Sequence, residues 1–183
     1  MKKLIFTLVA IISISTVIGQ NKYLTKTGSL NFEASVPSFE EVAAKNSSVT
    51  AILNSKNGDF AALALVKAFR FKNALMEEHF NENYAESDMH PKATVRGKIE
   101  NFAFSDLSET DSSLSLNGSL TFHGITKPIN NIPLIIKVVD DKIILSGSFK
   151  VLVSGFNIEI PKIVKNKLSD EVSVTFNFRL VKK

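Results

Sequence analysis

The sequence predicts an all-β domain of about eight antiparallel strands, a sandwich or a barrel, with one or two short helices. Three observations carry this. Apolar and polar residues alternate with period two through much of the chain, as on strands with one dry and one wet face. Turn-forming clusters divide those runs at the spacing typical of sandwiches and barrels. No segment has the strand-helix-strand rhythm of a parallel sheet.

The chain opens MKKLIFTLVAIISISTVIGQ. Lys2 and Lys3, an apolar and hydroxyl run, and then Val17 and Gly19 as small residues two apart give the order of a secretory signal. The apolar part is shorter than the ~20 residues of a spanning helix, and no second such stretch follows. The expectation is a signal peptide over 1–19, one domain over 20–183, and a periplasmic or secreted protein.

In the domain, Leu30, Phe32, Ala34 and Val36 alternate with Ser29, Asn31, Glu33 and Ser35 until Pro37 closes the run. Ser38 and Glu41 have capping-box spacing, which predicts a short helical stretch over 38–44. Strands are expected over 49–53, 60–71 and 93–104. Between the last two, Asn73 as N-cap and Leu75, Met76, His79, Phe80 and Tyr84 at helical spacing predict an amphipathic helix over 73–84. Leu114, Leu116, Leu120 and Phe122 mark the next strand, and segments 132–139 and 143–153 read as two more. Val172, Val174, Phe176, Phe178 and Leu180 mark the last. The turn signals are Lys56-Asn57-Gly58-Asp59, Asn130-Asn131 and Asp140-Asp141.

Composition narrows the function. There is no cysteine, hence no disulfide framework and no thiolate metal site. Without Lys2 and Lys3, 20 basic residues face 18 acidic ones in scattered pairs, which points to neither nucleic acid nor an anionic membrane surface. Small residues at Ala62, Ala64, Ala68 and Gly97 stand among bulky neighbours, and fourteen phenylalanines supply smooth walls. Both a ligand cavity and ordinary packing, with small residues where strands bend, fit this composition.

Local motifs for chemistry are missing. The three histidines His79, His90 and His123 lie apart, with no H-E-x-x-H pair, so a metal would have to be held by residues distant in sequence. There is no G-x-S-x-G elbow and no glycine-rich phosphate loop, hence no expected cofactor. His79 follows Glu77 and Glu78, but neighbours on a helix face different ways. It reads as a buried or half-buried residue holding the helix to the sheet. His123 and Lys127 read as local hydrogen-bonding and surface groups. Asn46-Ser47-Ser48 and Asn117-Gly118-Ser119 match the glycosylation sequon.

The stretch Ser119-Leu-Thr-Phe-His-Gly-Ile-Thr-Lys-Pro128 resembles the signature of the YceI-like family, G-x-L-T-x-H-G-V-T-K/R-P. Gly118, Leu120, Thr121, His123, Gly124, Thr126, Lys127 and Pro128 match it, with Ile125 for valine. The helical segment ending in His79-Phe80, the stretch from Tyr84 through His90-Pro91-Lys92-Ala93, and the terminal strand extend the likeness. The segment before Phe80 departs from the usual R-D-x-H-L.

The resemblance implies a lipocalin-like eight-stranded barrel holding a long-chain lipid or polyisoprenoid, without catalysis. On that reading the helix caps the mouth. Leu75, Met76, His79 and Phe80 would then contact the chain, with Phe69, Phe71, Leu120 and Phe122 in the wall. The alternatives are an enzyme for an apolar substrate using His79 or His123 as base, and an outer-membrane barrel.

Overall fold

The computed structural model describes residues 21–36 and 40–183, so the expected signal peptide lies outside them. The strands are β1 Lys22–Ser35, β2 Ala43–Asn54, β3 Asp59–Leu65, β4 Arg70–Phe71, β5 Lys92–Ile99, β6 Ser112–Phe122, β7 Ile125–Val139, β8 Lys142–Leu152 and β9 Leu168–Lys182. All pairings are antiparallel. The order β1-β9-β8-β7-β6-β5-β3-β2 closes through a β1–β2 ladder, giving an eight-stranded barrel with no open seam. The two residues of β4 pair with Ala44 and Lys45 of β2, past the point where β3 leaves that strand. The expected strand 60–71 is therefore one wall segment broken by a 3₁₀ turn at Val66–Ala68.

Period-two alternation decides what faces the core. In β9, Val172, Val174, Phe176, Phe178 and Leu180 are buried, while Thr175, Asn177, Arg179 and Glu171 are exposed. The outward face of this strand is polar, the opposite of a lipid-facing barrel wall. One end of the interior is densely filled: Leu53, Ile99, Leu134, Ile136, Ile143, Leu145 and Leu180 are fully buried.

Two hairpins turn on paired left-handed residues, as the twist of the flanking strands requires. Asp140 and Asp141 (φ 49° and 59°) join β7 to β8, and His123 and Gly124 (φ 48° and 72°) join β6 to β7. His123 thus occupies a turn, not a strand face. Asn130-Asn131 is not a turn. β7 runs through it as a bulge, with Asn131 at φ 54° and its N–H donating to Asn117 Oδ1 at 2.7 Å.

Three further expectations change. Ala43 and Ala44, placed in a short helix by their capping-box pattern, belong to β2, and Ser38 lies outside the described residues. Pairing with β1 overrides the local helical preference there. The strand expected over 93–104 ends at Ile99, and Phe104 begins a 3₁₀ turn. Asn46, the first sequon residue, is fully buried. Its amide donates to Leu65 O at 3.0 Å and its Oδ1 accepts from Ser48 N–H at 2.9 Å, which leaves no space for a glycan.

Gly97 opposes Gly118 across the β5–β6 ladder. A Cβ on Gly97 would stand 2.3 Å from Asn117 O, and one on Gly118 would stand 2.2 Å from Arg96 O. The glycines allow backbones to approach closely, so Gly97 does not make room for a ligand.

The helix α1, Ala74–His79, starts where Asn73 Oδ1 accepts from Leu75 N–H at 2.9 Å. It then widens into a π turn, Phe80–Tyr84. No described helix is long and apolar enough to cross a membrane.

Candidate ligand cavity

The half of the barrel under α1 encloses a cavity of about 360 Å³. Its walls take inward residues from all nine strands. Leu30 and Phe32 come from β1, Phe60, Ala62 and Ala64 from β3, and Ala93 and Val95 from β5. Leu120, Phe122 and Ile129 follow from β6 and β7, and Val174 and Phe176 from β9. The lining is almost wholly hydrocarbon, and three alanines on the paired strands β3 and β5 leave the space that larger side chains would fill. Of the small residues singled out by sequence, Ala62 and Ala64 line the cavity, whereas Ala68 and Gly97 do not.

Four phenylalanine rings close around the mouth. Phe32 lies 5.2 Å from Phe69, 5.7 Å from Phe71 and 5.3 Å from Phe80, while Phe80 lies 5.2 Å from Phe71. Tilted and edge-on contacts at these distances suit the ring quadrupoles. They come from the first strand, the broken wall segment and the start of the π turn, so the helix is moored to the barrel by aromatic contact. A carboxylate adds to this. Glu77 accepts from Arg70 Nη1 at 2.9 Å and from Phe71 N–H at 3.1 Å, which ties the helix back onto β4.

Of the eight residues proposed from sequence, Phe69, Phe71, Met76, His79, Phe80, Leu120 and Phe122 line the cavity. Leu75 does not. It is 56% exposed, because Met76, His79 and Phe80 form the inward stripe and Leu75 sits about 100° round the helix from Met76. His79 is exposed at the mouth and does not hold the helix down; Phe80 and Glu77 do.

The sequence reading missed the other lip, formed by Val153, Phe156, Ile158, Ile160 and Val164. The alternation in Phe156-Asn-Ile-Glu-Ile160 was the available signal. Polar groups in the lining stand mainly at the mouth: Glu40, Tyr84, Lys167 and Ser169. Burial pushes the Tyr84 hydroxyl above its ordinary ionisation range. Next to β4, Lys72 pairs with Glu41, and that hydrogen bond with its attraction raises the Lys72 ammonium.

Outside the wall, the fold gathers residues that sequence analysis kept apart. Glu86 and His90 follow the π turn, His123 caps the β6–β7 hairpin, and one donor atom from each lies within 4.8 Å of the others. His123 was expected to bond locally, but its ring nitrogens reach Phe156 O at 2.9 Å and Glu86 Oε2 at 2.7 Å, 33 and 37 residues away.

Comparison with known proteins places this geometry. Solved structures share the fold at low sequence identity. A polyisoprenoid-binding domain from Saccharophagus degradans, implicated in plant cell wall breakdown, matches with TM-score 0.78 and 15% identity. The match covers 90% of this chain and 99% of that one. Burkholderia cenocepacia BcnA matches with TM-score 0.68 and 14% identity, over 84% and 96% of the two chains. A Campylobacter jejuni YceI protein matches with TM-score 0.54 and 15% identity, over 74% and 80%. No curated protein matches the sequence. The YceI-like domain family matches residues 10–180, nearly the whole chain, and the protein belongs to that family.

Proposed function

We propose that the protein is an exported carrier that holds a long-chain apolar lipid, polyisoprenoid-like, inside the barrel. The observation that carries this is the hydrocarbon cavity open at the α1 end. Its volume of about 360 Å³ falls within the ~300–1,000 Å³ of small-ligand pockets. Each methylene moved from water into it gains ~0.8 kcal/mol, so some ten methylenes supply roughly 8 kcal/mol before the cost of association. Affinity on this scale needs no specific polar partner. The polar fringe of Glu40, Tyr84 and Lys167 meets whatever head group projects from the mouth.

The sequence of residues 1–19 supports export, and the family membership and the likeness to the polyisoprenoid-binding Saccharophagus domain support a lipid ligand. Binding by packing fits the cavity, whose lining among the described residues is almost wholly hydrocarbon. Organic extraction of protein purified without detergent, followed by mass spectrometry, tests the reading. The expected result is one long-chain lipid per chain. An empty barrel that takes up no added isoprenoid alcohol overturns it.

A further inference from the structure

We propose that Glu86, His90 and His123 form a binding site for a divalent transition-metal ion of the zinc class, on the outside of the barrel beside the mouth. Two imidazoles and a carboxylate are a donor set that suits zinc and leaves a fourth position for water. None of the three residues lines the lipid cavity, so the site is independent of the ligand proposed above.

His123 carries the argument. Phe156 O can only accept, so His123 Nδ1 donates to it at 2.9 Å, and this fixes the lone pair of a neutral ring on Nε2. That nitrogen faces Glu86 Oε2 at 2.7 Å, another acceptor. A proton shared between them satisfies this contact, and an ion bound to both atoms would lie to one side of it, since two bonds of ~2.0–2.2 Å span more than 2.7 Å. A backbone carbonyl on the far nitrogen is the usual support of a metal-ligating histidine, because it sets both tautomer and ring orientation. The His123 side chain is 11% exposed, so its aim is fixed by packing as well.

His90 completes the set. Its ring stands edge-on to His123 with centroids 4.6 Å apart, and it packs over Gly124, where a Cβ would meet it at 2.9 Å. Its nitrogens take no hydrogen-bond partner among the described residues, which leaves a ring lone pair available to an ion. Glu86 (φ 43°) and His123 (φ 48°) both hold left-handed backbone, a conformation that costs a non-glycine residue energy and is kept where surrounding contacts fix it. An ion here would clamp the segment after the π turn to the β6–β7 hairpin and, through the Phe156 carbonyl, to the opposite lip.

The test uses untagged protein, stripped with chelator and dialysed against Zn²⁺, with Co²⁺ as a spectroscopic probe. The expected result is one Zn²⁺ per chain, cobalt d–d bands of a low-coordinate nitrogen and oxygen site, and a melting temperature raised by Zn²⁺. His90→Ala and Glu86→Gln, each first shown to melt cooperatively in chelator, should each weaken binding by at least ~10-fold. No saturable binding to the wild type, or unchanged affinity in either variant, overturns the proposal.

Discussion

The Phe32 and Phe80 rings meet at 5.3 Å, tilted by 36°, and join the first strand of the barrel to the π turn that follows α1. The helix and its extension have no fully buried residue, so they hold to the barrel chiefly through this contact and its neighbours Phe69 and Phe71. Elements with few buried contacts open first. The mouth is therefore the part of the barrel expected to open first.

Phe80→Ala should loosen this mooring with modest loss of global stability. Phe80 is half-buried, so the cost should fall below the ~3–5 kcal/mol of a fully buried phenylalanine. Amide hydrogen exchange over residues 74–84 should accelerate selectively, and bound lipid should leave faster. Uniform exchange across the barrel would show that Phe80 is ordinary core.

Ala93→Phe should fill the cavity from the wall. Ala93 is paired with Ala64 and lines the cavity, so the larger side chain enters existing space. Uptake of a fluorescent apolar probe should fall while the melting temperature holds or rises, as for other cavity-filling changes. Retained uptake would mean that ligand occupies some other surface.

Stability should fall in alkali. Burial raises the Tyr84 hydroxyl, and burial together with the Asp141 carboxylate raises Tyr23, both from the ordinary 10.0. The fold favours the neutral phenols, whereas the unfolded chain ionises first. Their contribution is thus complete below pH 10.0 and is lost as pH rises through the higher folded values. Thermal melts should be steady up to the unfolded value and decline beyond it. The Tyr23→Phe, Tyr84→Phe double variant should decline less, and an identical slope would contradict the assignment.

The alternating runs of β6 and β9 and the Asp140-Asp141 turn were legible because period and turn chemistry are local properties. The seven cavity residues found in advance sat on such runs or on a helix with a plain N-cap, Asn73. Non-local geometry was not legible. Asn130-Asn131 carries turn chemistry, and only pairing with β6 turns it into a bulge. Ala43 and Ala44 follow a capping-box pattern, and the β1 ladder makes them strand. Leu75 and Met76 are adjacent apolar residues, and which of them faces inward depends on how the helix docks. Glu86 and His90 share one turn, and only the packing of the β6–β7 hairpin against that turn adds His123.

Gly118→Ala tests that kind of long-range constraint. A methyl there meets the Arg96 carbonyl of the neighbouring strand, and backbone cannot yield as a side-chain tip can. A loss of roughly 1–3 kcal/mol is expected by denaturant unfolding. A change within a few tenths would show that the strands can separate at little cost.

The most direct test of the barrel as a lipid carrier is native mass spectrometry of the intact protein, purified without detergent, then delipidated and mixed with an isoprenoid alcohol. A carrier should show a single adduct of lipid mass on purification, its loss on delipidation, and its replacement by one added isoprenoid, with Ala93→Phe failing to reload. A protein that stays at its bare polypeptide mass throughout would contradict it.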